Sequence, residues 1–167
     1  MERLWAPWRR DFVVKGASAG EGDSAGCIFC ALPGAADGPG NLILHRTPGA
    51  YVIMNKYPYS NGHLMVVPFR HTPDFTSLLP GEASEMILLA QRCVAVLRQR
   101  MNAHGFNVGF NLGKAAGAGI EEHVHLHVVP RWEGDHNMMT VLGGVRVIPE
   151  DLSRTYETLR PAFDSRG

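Results

Sequence analysis

The sequence lacks an excess of charge of either sign, because its 167 residues include 16 lysines and arginines and 16 aspartates and glutamates. A protein that binds long nucleic acids usually carries a basic field that attracts the phosphate backbone. The balanced charge argues against that class. Any phosphate-bearing ligand must therefore be recognised by a local group of side chains.

Long apolar runs are also missing, and cysteines are few. No stretch approaches the roughly 20 apolar residues of a membrane span, and the first ten residues contain no apolar core of a signal peptide. Three cysteines are an odd number, which does not suit a disulfide framework. These absences predict a cytoplasmic protein. The length favours one domain over residues 1–167, with an aromatic N-terminal extension at about residues 1–26.

What the sequence does contain is a row of histidines that alternate with aliphatic residues. The stretch is His123-Val124-His125-Leu126-His127-Val128. Strict alternation predicts a half-buried strand, because side chains two positions apart share a face of a strand. The imidazoles are expected on one face, about 6.6 Å apart, with the aliphatic residues in the core. That spacing suits groups that flank a single phosphoryl group.

Three imidazoles in a row have three interpretations: metal binding, catalysis, or polar residues on a wet sheet face. An ordered cluster of ionisable residues usually marks a site, which disfavours the last. His125, at the centre, is the best candidate nucleophile, because a backbone carbonyl can fix its far ring nitrogen. Its attack on phosphorus gives a covalent phospho-imidazole, while the other histidines neutralise phosphoryl oxygens and protonate the leaving group.

Hydrophobic periodicity predicts the elements around this row. The expected strands lie within residues 42–54, divided by a turn at 47–49, and within residues 63–68 and 106–112. An amphipathic helix is expected at residues 82–101, ended by His104-Gly105. A terminal helix is expected at residues 149–163, with Pro149 in its first turn. A loop of small residues, 113–119, leads into the histidine row.

The Cys27-Ile28-Phe29-Cys30 pair has two main interpretations. Cys-x-x-Cys with histidines elsewhere is a common tetrahedral zinc set. The histidines considered as its partners are His45, His71, His104, His123 and His136. The alternative is a pair of small packing or loop cysteines. A thioredoxin-type redox role is disfavoured, because no strand-then-helix context surrounds the pair.

Several of these segments resemble a known family. Residues 123–129 resemble the signature of the histidine triad (HIT) family of nucleotide hydrolases and transferases. Residues 62–68, preceded by Asn55, resemble its ribose-binding and strand segment. Residues 106–113, 130–135 and the opening 4–9 are similar to the bacterial branch related to diadenosine tetraphosphate phosphorylases. The resemblance covers nearly the whole chain apart from the loop around residues 14–24.

The resemblance implies an α+β fold, with an antiparallel sheet of about five strands, one long helix and a C-terminal helix, commonly assembled as a homodimer. It also implies an enzyme that cleaves the phosphoanhydride of dinucleoside polyphosphates of the diadenosine tetraphosphate type. His125 would attack the α-phosphate and carry the nucleotidyl group, which phosphate or water would then remove. The alternatives are a purine nucleoside phosphoramidase and a non-catalytic, zinc-stabilised nucleotide-binding module.

The family pattern further implies a role for each matching residue. The catalytic residues would be His125, His127 at the phosphate, His63 as support for the triad, and His123. The substrate-binding residues would be Asn55 at the ribose, Asn111 at the phosphate side, and Ile28, Phe29 and Ile53 around the base. The ligands of a structural zinc ion would be Cys27, Cys30, His71 and His123.

One departure from the family pattern precedes the histidine row. The family usually places a polar Gln or Ser there to hold phosphate oxygens and the leaving group, whereas this chain has Ala118-Gly119-Ile120. The backbone N–H groups of Gly117 and Gly119 are expected to bind the phosphate instead.

Overall fold

The structure is a computed structural model and describes residues 26–135 and 150–164. The strands in these residues are β1 (Ile43–Arg46), β2 (Ala50–Met54), β3 (Leu64–Pro68), β4 (Gly105–Phe110) and β5 (Leu126–Arg131). The α-helices are α1 (Ile28–Ala31), α2 (Pro80–Met101) and α3 (Leu152–Asp164). None of the described helices is long and apolar enough to cross a membrane. The expected N-terminal extension lies largely outside the described residues.

The five strands form one antiparallel sheet in the order β1-β2-β3-β5-β4. β3 and β5 are neighbours although they are distant in sequence, and Met65 pairs with His127. β2 and β3 are buried along their whole length, which matches their nearly continuous apolar sequences. The predicted α+β class and the five-stranded sheet are confirmed.

Helix α2 packs on this sheet through an apolar stripe. Its buried residues are Met86, Leu89, Ala90, Cys93, Val96 and Leu97. The N–H of Leu79 donates to the Glu82 carboxylate at 2.9 Å, and Pro80 fits the first turn because it needs no N–H partner there. The helix ends at Asn102, which has a positive φ of 50°. The predicted stop at His104-Gly105 is therefore wrong, because Gly105 already begins β4.

Helix α3 covers the other end of the sheet. Tyr156, Leu159 and Phe163 are buried, and the Tyr156 hydroxyl donates to the Ile43 carbonyl at 3.1 Å. The helix starts at Leu152, three residues later than predicted. Pro149, the predicted first-turn residue, lies outside the described residues.

The histidine row is only partly a strand. β5 begins at Leu126, so His123 and His125 precede it. Instead of pairing with a strand, the N–H of Val124 donates to the Thr72 carbonyl at 2.7 Å. The prediction of one continuous strand through all three histidines is wrong, because the chain bends before His125 to reach the segment that follows β3.

Gly62 occupies a turn that requires glycine. Its φ is +73°, and a Cβ at this position would lie 2.6 Å from Met101 Sδ and 3.1 Å from Leu97 Cδ2. Both the backbone conformation and the lack of space therefore favour the residue without a side chain. This turn brings the chain against α2 and directs it into His63 and β3.

Candidate active site and metal centre

Two histidines meet where the neighbouring strands β3 and β5 lie side by side in the sheet. His63, just before β3, places its Nε2 2.9 Å from Nδ1 of His127 in β5. The N–H of Tyr59 donates to Nδ1 of His63 at 3.1 Å. That nitrogen is therefore a lone-pair acceptor, and the proton of neutral His63 lies on Nε2. His63 thus donates to Nδ1 of His127, which leaves the proton of neutral His127 on its own Nε2.

His125 lies beside this pair, with its ring centroid 4.8 Å from that of His127. Its Nδ1 is 2.8 Å from the main-chain oxygen of His123. A carbonyl oxygen can only accept, so Nδ1 carries the proton and Nε2 carries the lone pair. Burial lowers the pKa of His125, which favours the neutral imidazole. The ring is 5% exposed and that of His127 is 7% exposed, so both retain some surface.

Phe29 packs against the candidate nucleophile. Its ring centroid is 5.0 Å from that of His125 and 5.6 Å from that of His123. Its main-chain oxygen accepts the Tyr51 hydroxyl at 2.7 Å. Phe29 is buried, so the structure places this predicted base-pocket residue directly against the imidazoles. Ile28 is exposed beside it, and Ile53 is buried in β2.

The ring of His123 faces away from His127. Its Nε2 lies 2.8 Å from the Pro68 main-chain oxygen and must donate to it. Nδ1 then carries the lone pair, and it lies 3.4 Å from Cys27 Sγ and 3.6 Å from Cys30 Sγ. Both ring nitrogens are engaged, and the ring is fully buried. The ring of His123 is therefore not presented beside His127, and its catalytic role stays a prediction. Its contribution to His125 is made through the main-chain carbonyl.

The four predicted metal ligands form one cluster. The potential ligand atoms of Cys27, Cys30, His71 and His123 all lie within 4.8 Å of one another. Cys30 Sγ is 3.3 Å from His71 Nδ1. In a tetrahedral zinc site, Zn–S and Zn–N bond lengths place a thiolate sulfur about 3.5 Å from an imidazole nitrogen. The sulfur–nitrogen distances of 3.3, 3.4 and 3.6 Å in the cluster match that geometry.

The electrostatics of the cluster also suit a divalent cation. Burial and the negative charge of Cys27 together raise the pKa of Cys30 to about 11. Burial, opposed by the Pro68 carbonyl and assisted by the positive charges of His71 and His125, lowers the pKa of His123 to about 4. His123 is thus neutral and can offer the lone pair of Nδ1 to a metal. A bound cation would also stabilise two adjacent thiolates.

The two predicted substrate-binding asparagines lie on opposite sides of the histidine pair. Asn55 Nδ2 is 3.3 Å from His63 Nδ1, and its Oδ1 accepts the N–H of Tyr57 at 2.9 Å. Asn111, just after β4, has its amide nitrogen 3.4 Å from His127 Nε2. The structure therefore brings Asn55 to Nδ1 of His63 and Asn111 to Nε2 of His127, which are the two nitrogens at the ends of the pair.

The small-residue loop is folded more tightly than the sequence suggested. The N–H of Gly117 donates to the Lys114 carbonyl at 2.9 Å, and the N–H of Ala118 donates to the Gly113 carbonyl at 3.2 Å. The N–H of Gly117 is thus engaged inside the loop in this structure. The phosphate-binding roles of Gly117 and Gly119 stay predictions.

One residue of the site was absent from the sequence-based prediction. The ring of Tyr59 packs against that of His63 with centroids 4.6 Å apart and a tilt of 38°, and it stacks on that of His127 with centroids 5.7 Å apart. It lies in an irregular loop, where no hydrophobic period marks a tyrosine as functional. Its position four residues before a candidate histidine was the only signal available.

A family model and a curated protein both match this chain in sequence. A profile of the HIT domain matches residues 39–134. The curated AP-4-A phosphorylase of Mycobacterium tuberculosis (strain ATCC 25618 / H37Rv) is 38% identical over 162 residues, which cover 95% of this chain and 83% of that protein.

Solved structures show the same fold. A Zn-bound histidine triad family protein from Mycobacterium smegmatis is 32% identical, with a TM-score of 0.69 over 85% of this chain and 96% of that chain. The diadenosine triphosphate hydrolase of Plasmodium falciparum, solved with Cyclomarin A, is 19% identical, with a TM-score of 0.60 and coverage of 77% of each chain. At that identity the likeness concerns the fold alone.

Proposed function

The chain belongs to the HIT domain family, and on that premise we propose that it is an enzyme that cleaves the phosphoanhydride of dinucleoside polyphosphates of the diadenosine tetraphosphate type. The observation that carries the proposal is the state of His125. Its Nδ1–H is held by a carbonyl, so the opposite nitrogen of a neutral imidazole presents a lone pair. The name of the 38% identical relative, AP-4-A phosphorylase, supports the substrate class.

In the first step, Nε2 of His125 attacks the α-phosphorus of the substrate. A P–N bond forms, and the bond from phosphorus to the bridging oxygen breaks. With diadenosine tetraphosphate, adenylyl-His125 forms and ATP leaves. The positive charge that develops on the imidazole is stabilised by the His123 carbonyl, which already accepts its Nδ1–H.

His127 and His63 assist this displacement. The Nε2–H of His127 is the proton directed toward the side of Asn111, where it can donate to a phosphoryl oxygen or to the leaving oxygen. His63 supports it by donating to Nδ1 of His127, which keeps that ring in one orientation. Asn111 contributes to the phosphate side, Asn55 to the ribose, and the N–H of Gly119 to phosphate oxygens.

In the second step, inorganic phosphate attacks adenylyl-His125. The P–N bond breaks, ADP is released and neutral His125 is regenerated. The overall reaction is diadenosine tetraphosphate plus phosphate to ADP plus ATP. The name of the mycobacterial relative supports phosphate rather than water as the acceptor.

Zinc is the proposed resident metal, bound by Cys27, Cys30, His71 and His123. All four positions are supplied by protein, so the ion would be structural, with no open position for substrate. The ligand spacing and the Zn-bound relative from M. smegmatis support this assignment. The thiolate ligands suit a reducing compartment, and we propose the cytoplasm.

A homodimer is the proposed assembly. β4 is at the edge of the described sheet and exposes Val108, and α2 exposes Ile87 and Leu88, the latter 64% exposed. Exposed aliphatic side chains and an unpaired strand edge are each typical of a surface that a second copy covers. Light scattering after gel filtration should give twice the chain mass, and a single chain mass would contradict the assembly.

The activity is tested by incubating the purified protein with diadenosine tetraphosphate, with and without inorganic phosphate. ADP plus ATP formed only with phosphate supports phosphorolysis. AMP plus ATP formed without phosphate assigns water as the acceptor instead. If neither pair forms, and adenosine phosphoramidate is also left intact, the chain is a nucleotide-binding module rather than an enzyme.

A further inference from the structure

The loop between β2 and β3 carries Tyr59, which contacts three groups of the proposed site. Its main-chain N–H donates to His63 Nδ1 at 3.1 Å. Its ring packs against that of His63 at an interplanar angle of 38° and stacks on that of His127 at 28°. Its hydroxyl oxygen lies 3.5 Å from the amide nitrogen of Asn111. One side chain thus reaches both histidines of the pair and the asparagine beyond them.

The position of Tyr59 is fixed by the residue that follows it. The Ser60 hydroxyl donates to the Pro130 carbonyl in β5 at 2.7 Å. The Ser60 carbonyl accepts the N–H of His63 at 3.2 Å. The loop is therefore attached to β5 and to the start of β3, the two segments that carry His127 and His63. Tyr59 is held in the same rigid frame as the rings that it contacts.

The main-chain N–H of Tyr59 determines where the protons lie along the pair. A backbone amide can only donate, so His63 Nδ1 must accept, and Asn55 Nδ2 approaches the same nitrogen at 3.3 Å. It follows that His63 donates from Nε2 and that neutral His127 carries its proton on Nε2. The opposite order of protons would place two N–H groups against each other at Tyr59.

The same order of protons specifies the orientation of the Asn111 amide. The amide nitrogen is placed 3.4 Å from His127 Nε2, where two N–H groups would oppose each other. A half-turn of the amide, which exchanges two atoms that have nearly the same shape, resolves the conflict. Asn111 Oδ1 then accepts from His127 Nε2–H and also from the Tyr59 hydroxyl.

We propose that Tyr59 is a positioning residue for the His63–His127 pair. Its main-chain N–H fixes the tautomer of both rings, and its phenol holds His127 and Asn111 so that the Nε2–H of His127 points to the side of Asn111, where the substrate phosphate is proposed to bind. The inference rests on the proposed function in that the aimed N–H serves the transferred nucleotidyl group. Tyr59 acts through these residues, so its loss lowers kcat more than it raises KM.

The kinetic test uses two variants and a matched control. Tyr59→Phe removes only the hydroxyl, and kcat with diadenosine tetraphosphate should fall roughly tenfold, as for one lost hydrogen bond. Tyr59→Leu also removes the stacking, and kcat should fall about 100-fold. KM should stay within about threefold in both. Tyr57→Phe, at a ring 56% exposed in the same loop, is the control and should leave kcat unchanged.

The second measurement is independent of turnover. Two-bond proton–nitrogen NMR of the imidazoles should show His63 and His127 protonated on Nε2 in the unmodified chain and in both Tyr59 variants, because each keeps the main-chain N–H at position 59. Where Tyr59→Leu does not fold, Tyr59→Phe decides. The proposal is overturned by unchanged kcat in the folded variants, by a rise in KM with kcat retained, or by His63 protonated on Nδ1. If the unmodified chain turns over no nucleotide, the proposed function fails, while the tautomers still decide the role of Tyr59.

Discussion

His123 and His125 are joined by a hydrogen bond of 2.8 Å from the Nδ1–H of His125 to the main-chain oxygen of His123. The side chain of His123 meanwhile lies in the cysteine cluster, 3.4 Å from Cys27 Sγ. The candidate nucleophile is therefore oriented by the backbone of a candidate metal ligand. Through this link, a metal bound at the cluster would affect the orientation of the candidate nucleophile.

Replacement of His125 tests its assignment as the nucleophile. His125→Gln leaves no imidazole nitrogen to attack phosphorus, so turnover of diadenosine tetraphosphate should fall by roughly 10⁴-fold or more, as when other catalytic nucleophiles are removed. The matched control is His104→Gln, at an exposed histidine whose Nδ1 accepts the N–H of Glu133 at 3.1 Å. Retained turnover in His125→Gln would assign the chemistry to another group.

Metal analysis tests the cluster. Protein purified without chelator should contain about one zinc per chain. Cys30→Ser and His71→Gln should each lower that content and the melting temperature, because the proposed ion would connect α1 to the segments that contain His71 and His123. Cys93→Ala removes a buried thiol on α2, far from the cluster in sequence, and should keep the metal. Equal zinc content in all three variants would contradict the ligand assignment.

The turn at Gly62 gives a stability prediction. Gly62→Ala should lower the free energy of unfolding by about 1–3 kcal/mol, because φ is +73° and the new methyl group meets Met101 and Leu97. Gly81→Ala is the matched control. That glycine lies in the first turn of α2, where an added methyl group would have nothing within 4 Å, so the change should be neutral or slightly stabilising. Urea denaturation measures both variants, and equal effects would show that the turn tolerates a side chain.

A pH dependence is expected from the contact between β1 and the two long helices. Arg92 on α2 donates to His45 Nε2 at 3.2 Å and also to the Phe163 carbonyl on α3. Burial lowers the pKa of His45, the charges of Arg92 and Arg160 lower it further, and Asp164 opposes them. The folded state therefore binds a proton less readily than the unfolded state, where the pKa is near 6.5.

The sign of this effect is that stability is lost on acidification. The contribution of His45 is complete above its unfolded pKa and decreases as the pH falls from that value toward the lower pKa of the folded state. His45→Gln keeps an acceptor for Arg92 but cannot be protonated. In urea denaturation at pH 7.5 and 5.5, the variant should lose less stability than the unmodified chain. An equal loss would show that other groups account for the acid sensitivity.

Much of the fold followed from local patterns in the sequence. Short-range sequence patterns predicted three features: the turn at residues 47–49, the apolar strand that ends at Pro68 and the apolar stripe of α2. The errors occurred at element ends, where long-range contacts decide. Asn102 rather than Gly105 ends α2, and the link from Val124 to Thr72 delays the start of β5 until Leu126.

The sequence could indicate which residues take part in the site but not how their polar atoms are connected. The alternation of histidines predicted three equivalent rings on one face. In the structure, the ring of His123 is engaged by Pro68 and the cysteines, and the N–H of Gly117 is engaged within its loop. The only sequence signal for Tyr59 was its position four residues before His63, since its role depends on a loop that brings it against both His63 and His127.

Residue type and spacing in the sequence were sufficient to predict the family: the cysteine pair, the strand patterns and the alternating histidine row can all be read without the structure. The order of protons along the His63–His127 pair was decided only when β3 and β5 became neighbours. A hydrogen bond requires its donor–acceptor distance to be correct to within a few tenths of an ångström. Here the two residues, His63 and His127, are more than 60 positions apart in sequence. Only the packed sheet sets that distance.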